Sequence, residues 1–201
     1  MGEAQSDLQS LRLLTDRLEL AAATVELAQA ELSDPAALAA LLDVPSPLDW
    51  PPPLNDADSQ RHFLSLLHHA EAGAAGWSLW FCIRQAPRAL VGNAGFKGPP
   101  TQGSVEIGYS MLEAQQRNGY CTEAVRALVG WAFAHPAVDT IVAHTLPAMR
   151  PSMRVLEKCG FIPVGLGPME DGIRTIRYQL SRRRSWGASG SNGNGMLAIT
   201  L

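Results

Sequence analysis

Between residues 105 and 133, a strand-like run, a short polar turn and a helix-like run follow one another directly. The strand-like run is 105–112, the turn is 116–123 with the glycine Gly119, and the helix-like run is 124–133. The first N–H groups of a helix have no partner within it, and the helix dipole is positive there. The pattern therefore predicts an anion site suited to the phosphate of a nucleotide-like cofactor, although these eight turn residues alone also fit an ordinary strand–helix connection.

Two common phosphate-binding motifs do not fit this turn. A Walker loop needs Gly-Lys-Ser/Thr at a fixed spacing, which is absent here. A dinucleotide fingerprint needs three glycines where this chain has Gly119 alone, and no long βαβ repeat surrounds it. If the turn binds phosphate, it does so in another structural class.

Composition narrows the class of protein and its partners. The chain has 201 residues, 46% hydrophobic and 17% charged, which fits one globular domain with tails. A net charge of -3 argues against stable nucleic-acid binding, and no apolar stretch is long enough to cross a membrane. The first residues lack a secretory signal, and the three cysteines lack metal-ligand spacing. We therefore expect a cytoplasmic protein with reduced thiols, no metal, and no membrane partner.

The remaining patterns indicate a single mixed α/β (α+β) domain over residues 11–181. It lies between a flexible N-terminus at 1–10 and a disordered Ser/Gly/Asn-rich tail at 182–201. Thr24 and Asp34 are predicted helix N-caps. Arg17 and Glu19 are predicted to face outward from the first strand, and Tyr109 is predicted to lie in the core. The predicted elements are a strand at 14–20, helices at 24–32, 34–42 and 56–69, strands at 77–84, 89–97 and 104–112, a helix at 119–133, a strand at 140–145, a helix at 151–158, and strands at 161–166 and 173–180.

Four segments of the chain resemble, in order and spacing, motifs of the GNAT superfamily of acyl-CoA-dependent N-acetyltransferases. The similarity covers roughly residues 12–180 and is greatest to the branch with the ribosomal-protein N-terminal acetyltransferases. The segments are Thr15-Asp16-Arg17-Leu18-Glu19-Leu20, Glu106-Ile107-Gly108-Tyr109, Gln116-Arg117-Asn118-Gly119-Tyr120-Cys121-Thr122-Glu123-Ala124 and Ser152-Met153-Arg154-Val155-Leu156-Glu157-Lys158-Cys159-Gly160-Phe161.

This resemblance implies a mostly antiparallel GNAT-like sheet with helices on both faces. It also implies acetyl-CoA as cosubstrate and direct transfer of the acetyl group, in a ternary complex, to a primary amine. The amine would belong to a small molecule or a protein N-terminus, and the enzyme would be a monomer or homodimer.

The resemblance also assigns site residues. Backbone groups of Met111 and Leu112 would pair with the pantetheine arm as an added strand does, and the turn would hold the pyrophosphate. The full set of expected cofactor-binding residues is Met111, Leu112, Gln116, Arg117, Asn118, Gly119, Tyr120, Cys121, Thr122 and Ser152.

Glu106 is the candidate general base, because it shares a strand face with Gly108 and Ser110 and a carboxylate there can take a proton from the amine. A salt-bridged or amine-binding carboxylate is the alternative interpretation. His144 on the following strand is the rival base.

Two positions depart from the family pattern. Cys121 stands where the loop usually has Gly or Ala, and Met149 stands where the second motif usually has Asn. The second departure favours an alternative function, a non-catalytic acyl-CoA-binding or sensing module on the same fold. An unrelated α/β ligand-binding domain is a third interpretation, and it would make the four-segment match accidental.

Overall fold

The computed structural model describes residues 11–70, 74–182 and 199–200, and in these residues nine strands form one mixed sheet. The strand order is β7-β8-β6-β5-β4-β3-β2-β1-β9. The elements are β1 Arg12–Leu14, β2 Leu18–Ala22, α1 Val25–Ser33, α2 Pro35–Leu41, α3 Ala57–His68, β3 Leu79–Arg84, β4 Ala89–Phe96, β5 Ser104–Met111, a short 3-10 helix Glu113–Gln115, α4 Tyr120–Ala134, β6 Thr140–Thr145, α5 Arg150–Lys158, β7 Ile162–Glu170, β8 Ile173–Ser181 and β9 Ile199–Thr200.

Side chains cap the starts of three helices, two of them, Thr24 and Asp34, as predicted from the sequence. The Thr24 hydroxyl accepts a hydrogen bond from the Leu27 N–H (3.2 Å) at the start of α1. The Asp34 carboxylate caps α2, which has Pro35 in its first turn, and the Asp56 carboxylate caps α3. These side chains bind N–H groups that would otherwise have no helical partner, which fixes where each helix starts.

The predicted strand at 14–20 is wrong, because the chain turns back on itself there. β1 and β2 form an antiparallel hairpin joined by residues 15–17. The Thr15 hydroxyl accepts from the Leu18 N–H (2.9 Å) and so closes the turn. Glu19, expected to face outward, is only 8% exposed and lies against Arg12 and Arg88.

Helices cover both faces of the sheet, as expected. On one face α4 and α5 pack through Leu128, Trp131 and Leu156 against the sheet. On the other face α1 and α2 pack against Phe81 and Ile83 of β3. Trp50 lies in the proline-rich segment at residues 45–53 and joins this second core, with its ring 6.2 Å from that of Phe81.

Arg182, which directly follows the predicted boundary at 181, bonds to the end of α4. The Arg182 guanidinium donates to the carbonyls of Phe133, His135 and Val138 at the C-terminal end of α4. Residues 1–10 and 183–198, for which a flexible terminus and a disordered tail are predicted, lie outside the described residues. Among the described residues, no helix has the length and apolarity needed to cross a membrane.

Candidate active site

β5 and β6 run parallel for three residues and then separate. Beyond their last paired residues, β5 continues to Met111 in register with β4, whereas β6 pairs only with β8. A gap therefore opens in the middle of the sheet, bordered by one edge of β5. The paired residues are Ser104 with Thr140, Val105 with Ile141 and Glu106 with Val142.

The side of β5 that faces this gap can be read from its hydrogen bonds. The Glu106 carbonyl accepts from the Lys97 N–H (2.9 Å), and the Leu112 N–H donates to the Val91 carbonyl (3.0 Å), so the even-numbered residues bond toward β4. Backbone groups alternate sides along a strand. The backbone groups of the odd-numbered residues, including Met111, therefore face the gap, where an extended ligand can pair with them.

Met111 and Leu112 thus differ in their capacity to bind a ligand. Both backbone groups of Leu112 are used within the protein, the N–H by Val91 and the carbonyl by the Gln115 N–H (2.8 Å). The Met111 carbonyl accepts from the Gln116 side chain (3.2 Å), and its N–H points into the gap. Leu112 therefore has no free backbone N–H to offer a ligand. Of the two residues expected to pair with the ligand, only Met111 has its N–H available.

The turn after β5 presents N–H groups at the start of α4. Arg117 and Gly119 both have left-handed backbone conformations, with φ of 63° and 83°, and Asn118 ties the turn by donating to the Gln115 and Gln116 carbonyls (3.2 Å each). The first helical hydrogen bond runs from Glu123 to Gly119 (3.1 Å). The N–H groups of Tyr120, Cys121 and Thr122 therefore precede the helical ladder and have no helical partner, an arrangement that suits an anion.

The N-terminal hairpin braces this turn. The Glu123 carboxylate accepts from the Thr15 hydroxyl (2.6 Å) and from the Arg17 N–H (2.9 Å), and it forms an ion pair with the Arg17 guanidinium (2.6 Å). Arg17 also donates to the Asn118 carbonyl (3.0 Å) and lies 4.9 Å from the centre of the Tyr120 ring. Burial raises the pKa of Glu123, but the bonds from Thr15 and Arg17 outweigh it and lower that pKa overall.

One cavity of about 1130 Å³ joins the turn, the gap and the opposite face of β5. The basic side chains of Arg117, Arg154 and Lys158 line the cavity near the turn and α5. Lys97, the residue after β4, and His144 of β6 line another part of it. The proline-rich segment and α3 contribute Pro53, Leu54, Asn55, Asp58, Ser59, His62 and Phe63 to its wall.

Tyr109 and Ser152 meet in this cavity. The Tyr109 hydroxyl donates to the Ser152 carbonyl (3.1 Å) and lies 3.1 Å from the Ser152 hydroxyl. Burial raises the pKa of Tyr109, so its hydroxyl stays protonated at neutral pH. Ser152 lies inside α5, whose N-cap is Met149, and is therefore not the cap of that helix.

Glu106 lies between a lysine and a histidine. Its carboxylate is 2.5 Å from Lys97 Nζ and 3.1 Å from His144 Nδ1. Burial raises the pKa of Glu106, but the proximity of Lys97 and His144 lowers it overall, so the group is a carboxylate at neutral pH. The imidazole is not aligned with the carboxylate, and its Nδ1 has no hydrogen-bond partner among the described residues. Lys97 and His144 line the cavity, whereas Glu106 does not.

The two cysteines near the turn are protonated thiols. Burial raises the pKa of Cys121 to about 12 and that of Cys159 to about 11. A thiol in this state is a poor nucleophile at neutral pH. Within the described ranges, no group of His, Cys, Asp and Glu side chains is arranged to hold a metal ion.

Sequence reasoning missed the functional placement of Arg17, Lys97 and Tyr109. Arg17 was expected on an outward strand face, and Tyr109 in the core. The resemblance of the segment at 15–20 to the family was the available signal for Arg17, but its partner Glu123 is 106 residues away. No sequence pattern indicated a role for Lys97, because its contact with Glu106 depends on the pairing register of β4 and β5.

Comparisons with known proteins agree with this geometry. The sequence matches the family of acetyltransferase (GNAT) domains over residues 17–162. It is 35% identical over 91 residues to the uncharacterized N-acetyltransferase YjdG of Bacillus subtilis, a match covering 45% of this chain and 54% of that one. It is also 29% identical over 152 residues to the uncharacterized protein YkkB of the same organism, covering 74% and 84%. The chain thus spans about half the length of YjdG.

Two solved structures share the fold at low identity. The ribosomal-protein-S5-alanine acetyltransferase of Vibrio fischeri has a TM-score of 0.61 and 14% identity, over 88% of this chain and 99% of that one. RimL, a ribosomal L7/L12 alpha-N-protein acetyltransferase solved in complex with coenzyme A, has a TM-score of 0.60 and 20% identity, over 85% and 97%. Because the family match spans more than half of the chain and the split sheet has the same fold, this protein belongs to the GNAT acetyltransferase family.

Proposed function

We propose that this protein is an acetyl-CoA-dependent N-acetyltransferase that transfers the acetyl group to a primary amine by direct attack in a ternary complex. The observation that carries the proposal is the continuity of the cavity. A single space of about 1130 Å³ is lined by the turn proposed to bind the anion and by Lys97 and His144, the two residues that flank Glu106. It gives a donor and an acceptor access to one another without a covalent enzyme intermediate.

The turn and the gap fit the two ends of a CoA arm. The N–H groups of Tyr120, Cys121 and Thr122, at the positive end of α4, suit a pyrophosphate. The Met111 N–H suits an amide of the pantetheine arm. Solved structures of RimL with coenzyme A and of MccE with acetyl-CoA and AMP, both of this fold, support the choice of cosubstrate.

The proposed roles in acetyl transfer follow from the placement of the side chains. The thioester supplies the acetyl carbonyl, whose bond to sulfur breaks as the amine nitrogen bonds to its carbon. Glu106 and His144 lie together where a proton can leave the amine, with His144 at the cavity wall and Glu106 behind it. Glu106 remains the predicted base, and because it does not line the cavity it would take the proton through water or through the imidazole. Tyr109, held protonated beside Ser152, can return a proton to the departing thiolate.

One observation favours the alternative, a non-catalytic acyl-CoA-binding module. Met149 is the N-cap of α5, and no side chain caps that helix. The polar contact that the family Asn would supply near Ser152 is therefore lacking at this position. Under this alternative the turn and gap keep their affinity for CoA while no amine is acetylated.

Isothermal titration with acetyl-CoA, with NADH as a negative control, tests the cosubstrate. We expect micromolar-range binding by the wild type and none by Gly119→Glu, because the new carboxylate would crowd and repel the pyrophosphate. The matched control is Gly160→Glu, which has a similar φ of 88° and lies outside the cavity lining. Wild-type affinity in Gly119→Glu would overturn the assignment of the turn.

Release of the CoA thiol over a broad panel of amines then separates the two functions. Turnover with any amine supports the enzyme. Binding of acetyl-CoA without turnover supports the sensing module, and failure to bind any CoA species contradicts both.

A further inference from the structure

The face of β4 and β5 opposite α4 forms a groove with a floor that lacks side chains. Gly95 and Gly108 are paired in the ladder between these strands, and both line the cavity. A Cβ at Gly108 would meet no atom within 4 Å. The space above Gly108 is therefore free for a ligand, whereas a Cβ at Gly95 would collide with the backbone of Ser78.

Polar side chains lie at both ends of this groove. Lys97 and Glu106, joined by their ion pair, lie at one end. Asn93 and Ser110, paired across the strands, lie at the other. Because a strand rises about 3.3 Å per residue, Asn93 is roughly 7 Å from Gly95 along the strand. A small substrate can therefore span the distance from the glycine floor to Asn93.

Asn93 is buried without a protein partner for its amide. The residue is 4% exposed, and its Nδ2 has no hydrogen-bond partner among the described residues. Its neighbour Ser110 uses its hydroxyl to donate to the Pro53 carbonyl. Buried polar groups in folded proteins are nearly always hydrogen-bonded. An amide left unpaired in the wall of a substrate cavity indicates a group that a ligand satisfies.

We propose that Asn93 is a specificity-determining residue that donates a hydrogen bond to a carbonyl oxygen of the acceptor, placed a few bonds from its reacting amine. This inference rests on the proposed N-acetyltransferase function. It favours α-amino carbonyl compounds, such as amino-acid amides and peptide N-termini, over plain alkylamines and polyamines. A neutral carbonyl fits better than a carboxylate, because the cation at the far end of the groove, Lys97, is held by Glu106 at 2.5 Å.

The test compares matched acceptors. Thiol release is measured with the amides of the standard amino acids and with alkylamines of the same shape, such as 1,2-dimethylpropylamine for alaninamide, with each kcat/KM expressed per concentration of unprotonated amine. For the wild type we expect kcat/KM to be at least about ten-fold higher for the best amide than for its alkylamine, since a site built around a hydrogen bond rejects analogues that cannot make it. In Asn93→Leu, and in Asn93→Ala should the first variant fail to fold, that ratio should fall toward one.

Gln29→Leu, an exposed change on α1, is the control and should keep the wild-type ratio. Acetyl-CoA affinity is measured for each variant by titration. If the wild type does not bind acetyl-CoA, the proposed function itself fails. If it binds, then a wild-type ratio near one, an unchanged ratio in both Asn93 variants, or no acetylation of any amide would overturn the role of Asn93.

Discussion

Glu31 is a buried acid, and replacing it should stabilise the protein at neutral and alkaline pH. The residue is 3% exposed on the side of α1 that packs toward α3. Its carboxyl accepts from the Asn55 side chain (2.8 Å), and no cation contacts it among the described residues. Burial raises the pKa of Glu31 from 4.5 to about 7, although the donors Asn55 and Trp50 partly oppose the shift. The change Glu31→Gln removes the ionisable group and keeps an oxygen for Asn55.

The magnitude follows from linkage between protonation and folding. Below pH 4.5 the carboxyl is protonated in both states and causes no loss of stability. As the pH rises to about 7, the unfolded chain ionises first, and the free energy of unfolding falls by about 1.4 kcal/mol per pH unit. Above that pH the loss is constant at about 3 kcal/mol. The amide that replaces the carboxyl adds N–H donors to a buried site, which reduces the gain at pH 8 to about 1–2 kcal/mol.

Urea denaturation at pH 5, 6, 7 and 8 measures this difference. We expect Glu31→Gln to be less stable than the wild type at pH 5 by up to about 1 kcal/mol, to equal it between about pH 5 and 6, and to be more stable by about 1–2 kcal/mol at pH 8. Glu26→Gln, which removes an exposed acid from the same helix, is the matched control. A constant difference between wild type and Glu31→Gln across this range would refute the reasoning.

Three further changes test the site and the boundary of the domain. Glu123→Gln removes the ion pair with Arg17 and should raise the Kd for acetyl-CoA about ten-fold by titration; an unchanged Kd would contradict the brace. Gly108→Val fills the groove floor without a positive φ, so kcat/KM for amines should fall at least ten-fold while the Kd for acetyl-CoA stays within two-fold; unaltered amine kinetics would show that the groove is not the acceptor path. Arg182→Leu removes the donor to the carbonyls at the end of α4 and should lower the free energy of unfolding by about 2 kcal/mol in urea, and a loss below about 0.5 kcal/mol would contradict its role.

The fold was predictable where local signals were strong. Helix caps such as Thr24 and Asp34 fix their starts through bonds two or three residues away, which a sequence displays directly. The prediction of one strand at 14–20 was wrong because the turn contains no glycine or proline. It is closed instead by a hydrogen bond from the Leu18 N–H to the Thr15 hydroxyl. Alternating hydrophobicity continues through such a turn and conceals it.

The site was predictable only within single segments. The turn at 116–123 is contiguous in sequence, so its residues could be proposed together as one anion site, and that assignment stays a prediction. Glu106 and His144 were treated as rivals, yet the parallel register of β5 and β6 brings them into contact. The side of β5 left open depends on which strands flank it, so the difference between Met111 and Leu112 could not be read from the chain alone.

The brace between the N-terminal hairpin and the anion-binding turn makes the two segments thermodynamically linked. Glu123 bonds to residues 106 and 108 positions earlier in the chain, so the ordered turn and the docked hairpin stabilise one another. Any anion that the turn binds must, by reciprocity, hold that hairpin in place as well. Amide hydrogens at Arg17 and Leu18, far from any acyl group, would then exchange more slowly with solvent deuterium when the phosphate end of the cavity is filled.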